Sequence, residues 1–98
     1  MLRLDNSCRE NLSWRSDVPP RLTVDAVVEA LEDRGFSLTA ERAGLVTLVE
    51  DATRHNIIMV RSTGRLQVRL HYVTAQAQRE AEAKRLGATL QQVFGALP

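Results

Sequence analysis

Two segments of the chain place apolar residues at helical spacing. In the first, apolar side chains recur at i, i+3, i+4 and i+7, and they are Val24, Val27, Val28 and Leu31. Thr23 is suited to cap the amino end, and Gly35 stands where helices commonly end in a left-handed residue. This pattern predicts a helix over residues 24–34.

The second segment lies at the end of the chain. Its apolar residues follow one another by three or four positions, and they are Ala83, Leu86, Leu90, Val93 and Leu97. The pattern predicts a helix over residues 75–96, with Thr74 as its N-cap.

Four runs between these helices have the alternation or the β-branched content of strands: 36–41, 45–50, 57–61 and 65–73. Three-residue connections ending in glycine, 42–44 and 62–64, join them into two hairpins. The chain is therefore predicted to be an α+β two-layer sandwich, in which a helix, a four-stranded antiparallel meander and a helix follow one another. Since a sheet with one apolar face needs one cover, both helices are expected on the same sheet face.

The loop lengths also predict which side chains share a face, because they place Glu41 opposite Leu45 and Arg61 opposite Arg65. The helix-covered face would then hold Phe36, Leu38, Ala40, Val46, Leu48, Ile58, Val60, Leu66, Val68, Leu70 and Tyr72. The open face would hold, among others, Val49, Ile57, Met59, Arg61, Arg65, Gln67, Arg69 and His71.

Residues 1–21 show neither period, and the Pro19-Pro20 pair excludes a helix at their end. We therefore expect an irregular N-terminal arm over 1–21 and a single α+β domain over 22–98.

Length and composition indicate the class of protein. A chain of 98 residues with 44% hydrophobic residues can form one small domain with one core. The single cysteine, Cys8, allows no intrachain disulfide, and neither an export signal nor a run of about 20 apolar residues is evident. These features predict a cytoplasmic protein without a membrane segment.

Charge is nearly balanced over the whole chain but not along it. The formal net charge is +1, yet residues 23–51 hold seven acids and two bases, whereas 52–79 hold five arginines and no acid. The second hairpin is therefore locally basic, which the average conceals.

The residues that catalysis needs are scarce. The five glycines are isolated, so they form no phosphate cradle, and the two histidines have no nucleophile placed beside them by the sequence. A metal site from Asp51, His55 and His71 lacks a fourth ligand nearby. We predict a protein that is not an enzyme and that uses neither a cofactor nor a metal.

The open sheet face is the best candidate for function. Apolar residues beside arginines are typical of protein interfaces, so we predict a small regulatory or accessory protein-binding module, acting as a homodimer or within a larger complex. The predicted binding residues are Val49, Ile57, Met59, Arg61, Arg65, Gln67, Arg69 and His71. The alternative is nucleic-acid binding, in which Arg61, Arg65 and Arg69 would contact phosphates; the few aromatic residues argue against it.

Overall fold

A computed structural model describes residues 3–5, 13–71 and 75–98, and it confirms an α+β fold with an antiparallel sheet and two helices. The helices are α1 (Val24–Glu32) and α2 (Gln76–Ala96). The strands are β1 (Arg3–Asp5), β2 (Ser13–Asp17), β3 (Phe36–Arg42), β4 (Leu45–Glu50), β5 (Asn56–Val60) and β6 (Arg65–Arg69). Their order across the sheet is β1-β2-β6-β5-β4-β3, with every neighbouring pair antiparallel.

Both helices lie over one face of this sheet, which we call the inner face, and a single core fills the space between. The fully buried side chains come from α1, from α2 and from inward positions of the strands, and the largest are Leu31, Leu48, Ile57, Met59, Leu66, Leu86 and Leu90. Burial of these side chains stabilises the two layers against each other. The opposite face, the outer face, carries no helix from the described part of the chain.

The helix ends are held by specific hydrogen bonds. Thr23 caps α1 as predicted, since its hydroxyl accepts from the backbone N–H of Ala26 at 3.1 Å. The predicted cap Thr74 lies outside the described residues, and Ala75 at the start of α2 provides no side-chain cap. At the other end of α2, the guanidinium of Arg21 donates to the carbonyls of Phe94 and Leu97, which otherwise lack helical partners.

The irregular N-terminal arm is the first prediction that the structure corrects. β2 pairs with β6 over five residue positions, and β1 pairs with β2, so the sheet has six strands and not four. Trp14 and Val18 are buried, whereas Arg15 and Asp17 are exposed. The pairing with β2 satisfies the backbone N–H and C=O groups at the edge of β6, and on the inward side of β2 only Ser16 is polar.

The first hairpin has a shorter connection than predicted. Ala43 and Gly44, both with positive φ, form a two-residue turn, so Leu45 lies opposite Arg42 and not Glu41. The register also shifts between Leu38 and Ala40. As a result Ala40 leaves the inner face, and Leu38 on the edge strand is 44% exposed.

The second hairpin has a longer connection than predicted, and this exchanges the two faces on which the side chains of β5 lie. β5 ends at Val60 and β6 begins at Arg65, and Met59 pairs with Leu66. A slip of one residue moves every side chain of a strand to the other face. Ile57 and Met59 therefore point into the core, and Ile58 and Val60 lie on the outer face, opposite to the prediction.

Candidate functional site

The outer face is a continuous surface assembled from the central strands. Its residues are placed in rows by the strand register, one of which runs through Arg15, Gln67, Ile58 and Thr47. They surround a shallow concavity of about 680 Å³. This volume is within the range of small-molecule sites, but the concavity is wide and open along the sheet rather than enclosed.

One half of the outer face, the arginine zone, consists of Arg15, Arg65 and Arg69. All three are exposed. Arg15 on β2 lies opposite Gln67, so it stands between the two arginines of the neighbouring strand. From strand geometry, the α-carbons of Arg65 and Arg69 are about 13 Å apart, and that of Arg15 is about 8 Å from each. Asp17 lies opposite Arg65 on the same face, so the three cations leave this half of the outer face with a net positive charge, which attracts an acidic partner.

The other half, the apolar zone, lies on β4 and β5. It consists of Leu45, Val49, Ile58 and Val60. Three of these are half-buried, and Leu45 is 44% exposed. The outer face is thus divided into a cationic half and an apolar half that lie side by side on adjacent strands.

Four of the eight predicted binding residues belong to the outer face: Val49, Arg65, Gln67 and Arg69. Ile57 and Met59 do not, because both are fully buried in the core. His71 is exposed just beyond the end of β6. The structure adds three residues that the sequence did not assign to this face, Ile58, Val60 and Arg15, since the first two were assigned to the inner face and the third to an irregular arm.

Arg61 was predicted for the outer face, but its side chain is used within the fold. Its guanidinium lies 2.8 Å from a carboxylate oxygen of Asp25 on α1 and is also hydrogen-bonded to Glu41 on β3. These hydrogen bonds raise the pKa of Arg61 above its usual value. The residue therefore ties α1 to the sheet edge and does not contribute to the arginine zone.

A second polar site, the inner polar cluster of Glu50, His55, Glu82 and Arg85, lies on the inner side of the sheet. Arg85 on α2 donates to both carboxylate oxygens of Glu50, at 2.7 and 2.9 Å. It also donates to Glu82 at 2.6 Å. These hydrogen bonds from Arg85 hold the pKa values of Glu50 and Glu82 below their usual range, although burial of Glu50 opposes this effect.

His55 completes the inner polar cluster and is almost fully buried. Its Nδ1 accepts the backbone N–H of His71 at 2.9 Å, so the ring proton lies on Nε2, which is 3.2 Å from a carboxylate oxygen of Glu82. Both ring nitrogens are therefore occupied. The inner polar cluster connects β4, the turn after it and α2.

Sequence reasoning did not identify the inner polar cluster, although one signal for it existed. Val46, Leu48 and Glu50 are alternate residues of β4, so the pattern places the Glu50 carboxylate on the core side. A carboxylate buried there needs a hydrogen-bond or ion-pair partner. The partner comes from α2, thirty-five positions along the chain, and only the fold brings it near.

Within residues 3–5, 13–71 and 75–98, no three histidine, cysteine, aspartate or glutamate side chains are grouped so as to hold a metal ion. None of the helices in the same part of the chain has the length and hydropathy to cross a membrane.

Comparison of the chain with protein-family models, with curated proteins and with solved structures gave no match.

Proposed function

We propose that this chain is a small non-catalytic protein-binding module, cytoplasmic as its composition predicts, which docks onto another protein through its outer face. It would act within a homo-oligomer or a larger complex, as a regulatory or accessory subunit.

The observation that supports this proposal is the division of the outer face into an arginine zone and an apolar zone. Arginine is enriched in protein interfaces, and apolar side chains at the centre of an interface gain most from the removal of water. Two helices lie over the inner face of the same sheet, whereas Leu45, Ile58 and their neighbours are covered by no described element. A partner would complete a third layer on the sheet.

The alternative, nucleic-acid binding, has less support. Proteins that bind single strands stack bases on aromatic side chains, and the described outer face carries no aromatic residue. The one tryptophan, Trp14, is buried on the inner face.

Site-specific photo-crosslinking tests the proposal. A photoreactive residue at Thr47, in the centre of the outer face, should form crosslinks to protein in extract from the native cell. The same residue at exposed Ala96 on α2 is the matched control and should form few. Crosslinking at Thr47 should fall at least about tenfold in the variant R65E/R69E, because two attractive charges become repulsive.

Nuclease treatment separates the two functions in this experiment. Crosslinks that persist after digestion of nucleic acid support protein binding. Equal yields from Thr47 and Ala96, or loss of the Thr47 product after nuclease treatment, would contradict the proposal.

A further inference from the structure

We propose that the occupant of the outer face is a second copy of this chain, which presents its helix α1 to the arginine zone in a head-to-tail association. This inference rests on the proposed function, because it names the partner of the same surface.

The outward side of α1 is acidic. Four acids are exposed on it, and they are Asp25, Glu29, Glu32 and Asp33. The inward side is formed by the buried valines and Leu31, so the acids lie on the surface of the helix layer. Asp25 is paired with Arg61 of its own chain, which leaves Glu29, Glu32 and Asp33 as the acids farthest from that ion pair. We call these three residues the acidic ridge.

The acidic ridge is unfavourable for the isolated helix. The carboxyl end of a helix carries partial negative charge, and cations are favoured there. The last turn of α1 contains no basic residue, and Glu32 and Asp33 stand at that end. Glu29 and Asp33 are also four positions apart, where like charges repel. Acids that oppose the helix dipole, with no basic residue in the same turn to balance them, are commonly found on functional surfaces.

The arginine zone is the complementary surface on the same molecule. The acidic ridge spans about 6 Å along α1 from Glu29 to Asp33, and it therefore fits within the span of about 13 Å from Arg65 to Arg69 along β6. Arg15 on β2 stands between those two arginines. Long arginine and glutamate side chains can absorb the remaining difference in position.

The arrangement of the two surfaces determines the symmetry. The acidic ridge lies on the helix layer and the arginine zone on the uncovered sheet face, so they are on opposite sides of the molecule. Two copies cannot satisfy both surfaces through one two-fold axis. Contacts of this kind are heterologous and continue as chains or close as rings. The association should therefore grow with protein concentration and weaken with salt.

Sedimentation analysis of the purified full chain tests this inference. Wild type at low ionic strength should show an average mass that rises with concentration, and the rise should disappear in 0.5 M salt, about three times the physiological ionic strength. The outer-face variant R65E/R69E and the helix variant E29R/E32R should each lose at least about tenfold in association constant. The control K84E changes one exposed charge of α2 outside both surfaces and should associate as wild type does.

Charge exchange gives the decisive result. An equimolar mixture of R65E/R69E and E29R/E32R should associate again, because each variant then offers a surface complementary to the other. A chain that carries all four substitutions should also regain self-association. Unfolding by urea confirms that each variant is folded.

The outcomes distinguish this inference from the proposed function. Wild type that stays monomeric at low salt, or a mixture that fails to associate, overturns the second copy as partner. If crosslinks from Thr47 to a different protein persist in that case, the proposed function stands with another occupant. If they are absent as well, both are contradicted.

Discussion

On the inner side of the sheet, Glu50 and His55 are buried and each has hydrogen-bond partners within the chain; on the outer face, Arg65 and Arg69 stand exposed to solvent. The two sets of polar groups differ in what their removal would change. A buried group left without its partner loses hydration that nothing replaces, whereas an exposed group returns to water at small cost. The difference indicates that the inner polar cluster stabilises the fold, whereas Arg65 and Arg69 are the residues that we propose for partner binding.

The largest expected effect on the free energy of unfolding distinguishes Met59 on the inner face from its neighbour Ile58 on the outer face. Met59→Ala should lower the free energy of unfolding by about 3 kcal/mol, because it leaves a cavity in the core. The neighbouring substitution Ile58→Ala, on the half-buried outer face, should cost about 1 kcal/mol or less. Urea denaturation of both variants measures the two values. Equal losses, or a greater loss for Ile58→Ala, would contradict the observed register of β5.

A smaller effect is expected in the inner polar cluster. Glu50→Ala should cost about 2 kcal/mol, because Arg85 loses its bidentate partner although part of its charge stays solvated. Glu29→Ala on the outward side of α1 is the control and should change stability by less than about 0.5 kcal/mol. Chemical denaturation at neutral pH compares them. Similar values for the two variants would mean that the inner polar cluster contributes nothing beyond an exposed charge.

The same cluster predicts how stability depends on pH. Arg85 lowers the folded-state pKa values of Glu50 and Glu82 from the usual 4.5, so both stabilise the fold fully above that pH. The free energy of unfolding should decrease as pH falls below 4.5 and through the lower folded-state values. Glu50→Gln should show a shallower acid dependence than wild type between pH 5 and pH 2. An unchanged slope would show that Glu50 is not linked to folding.

The smallest effect on folding and on binding is expected at Arg61. Its ion pairs with Asp25 and Glu41 are exposed to solvent, so Arg61→Ala should lower stability only slightly. Because its side chain is outside the arginine zone, this substitution should also leave Thr47 crosslinking unchanged, whereas Arg65→Ala should reduce it. A loss of crosslinking for Arg61→Ala as large as for Arg65→Ala would restore Arg61 to the binding surface.

Local signals in the sequence predicted much of the fold. The stripe of valines in α1, its Thr23 cap and the alternation of β4 and β6 depend on neighbouring residues, and all are observed. Strand registers were less predictable, because a glycine can end a connection of two, three or four residues and does not show which length the chain adopts. Gly44 ends a two-residue connection and Gly64 ends a longer one, and each difference from the prediction moves one strand by a residue.

The candidate site was predicted in part for the same reason. Arg65, Gln67 and Arg69 were placed correctly because β6 alternates clearly, whereas Met59 was placed on the wrong face by the loop error. Arg15 was missed because β2 is stabilised by its pairing with β6 and not by its own apolar pattern. Contacts between distant segments carry no local signal, so only the folded chain shows the complete surface.

The pairing of β2 with β6 has a consequence for folding kinetics. The meander from β3 to β6 joins neighbours in sequence, whereas β2 pairs with a strand about 50 residues later and must close a long loop. The meander should therefore form early and β2 should dock late, and its amides should open more readily in hydrogen exchange than those of β4 and β5. Arg15 joins Arg65 and Arg69 only at that late step, so the cationic surface is incomplete until folding is nearly finished.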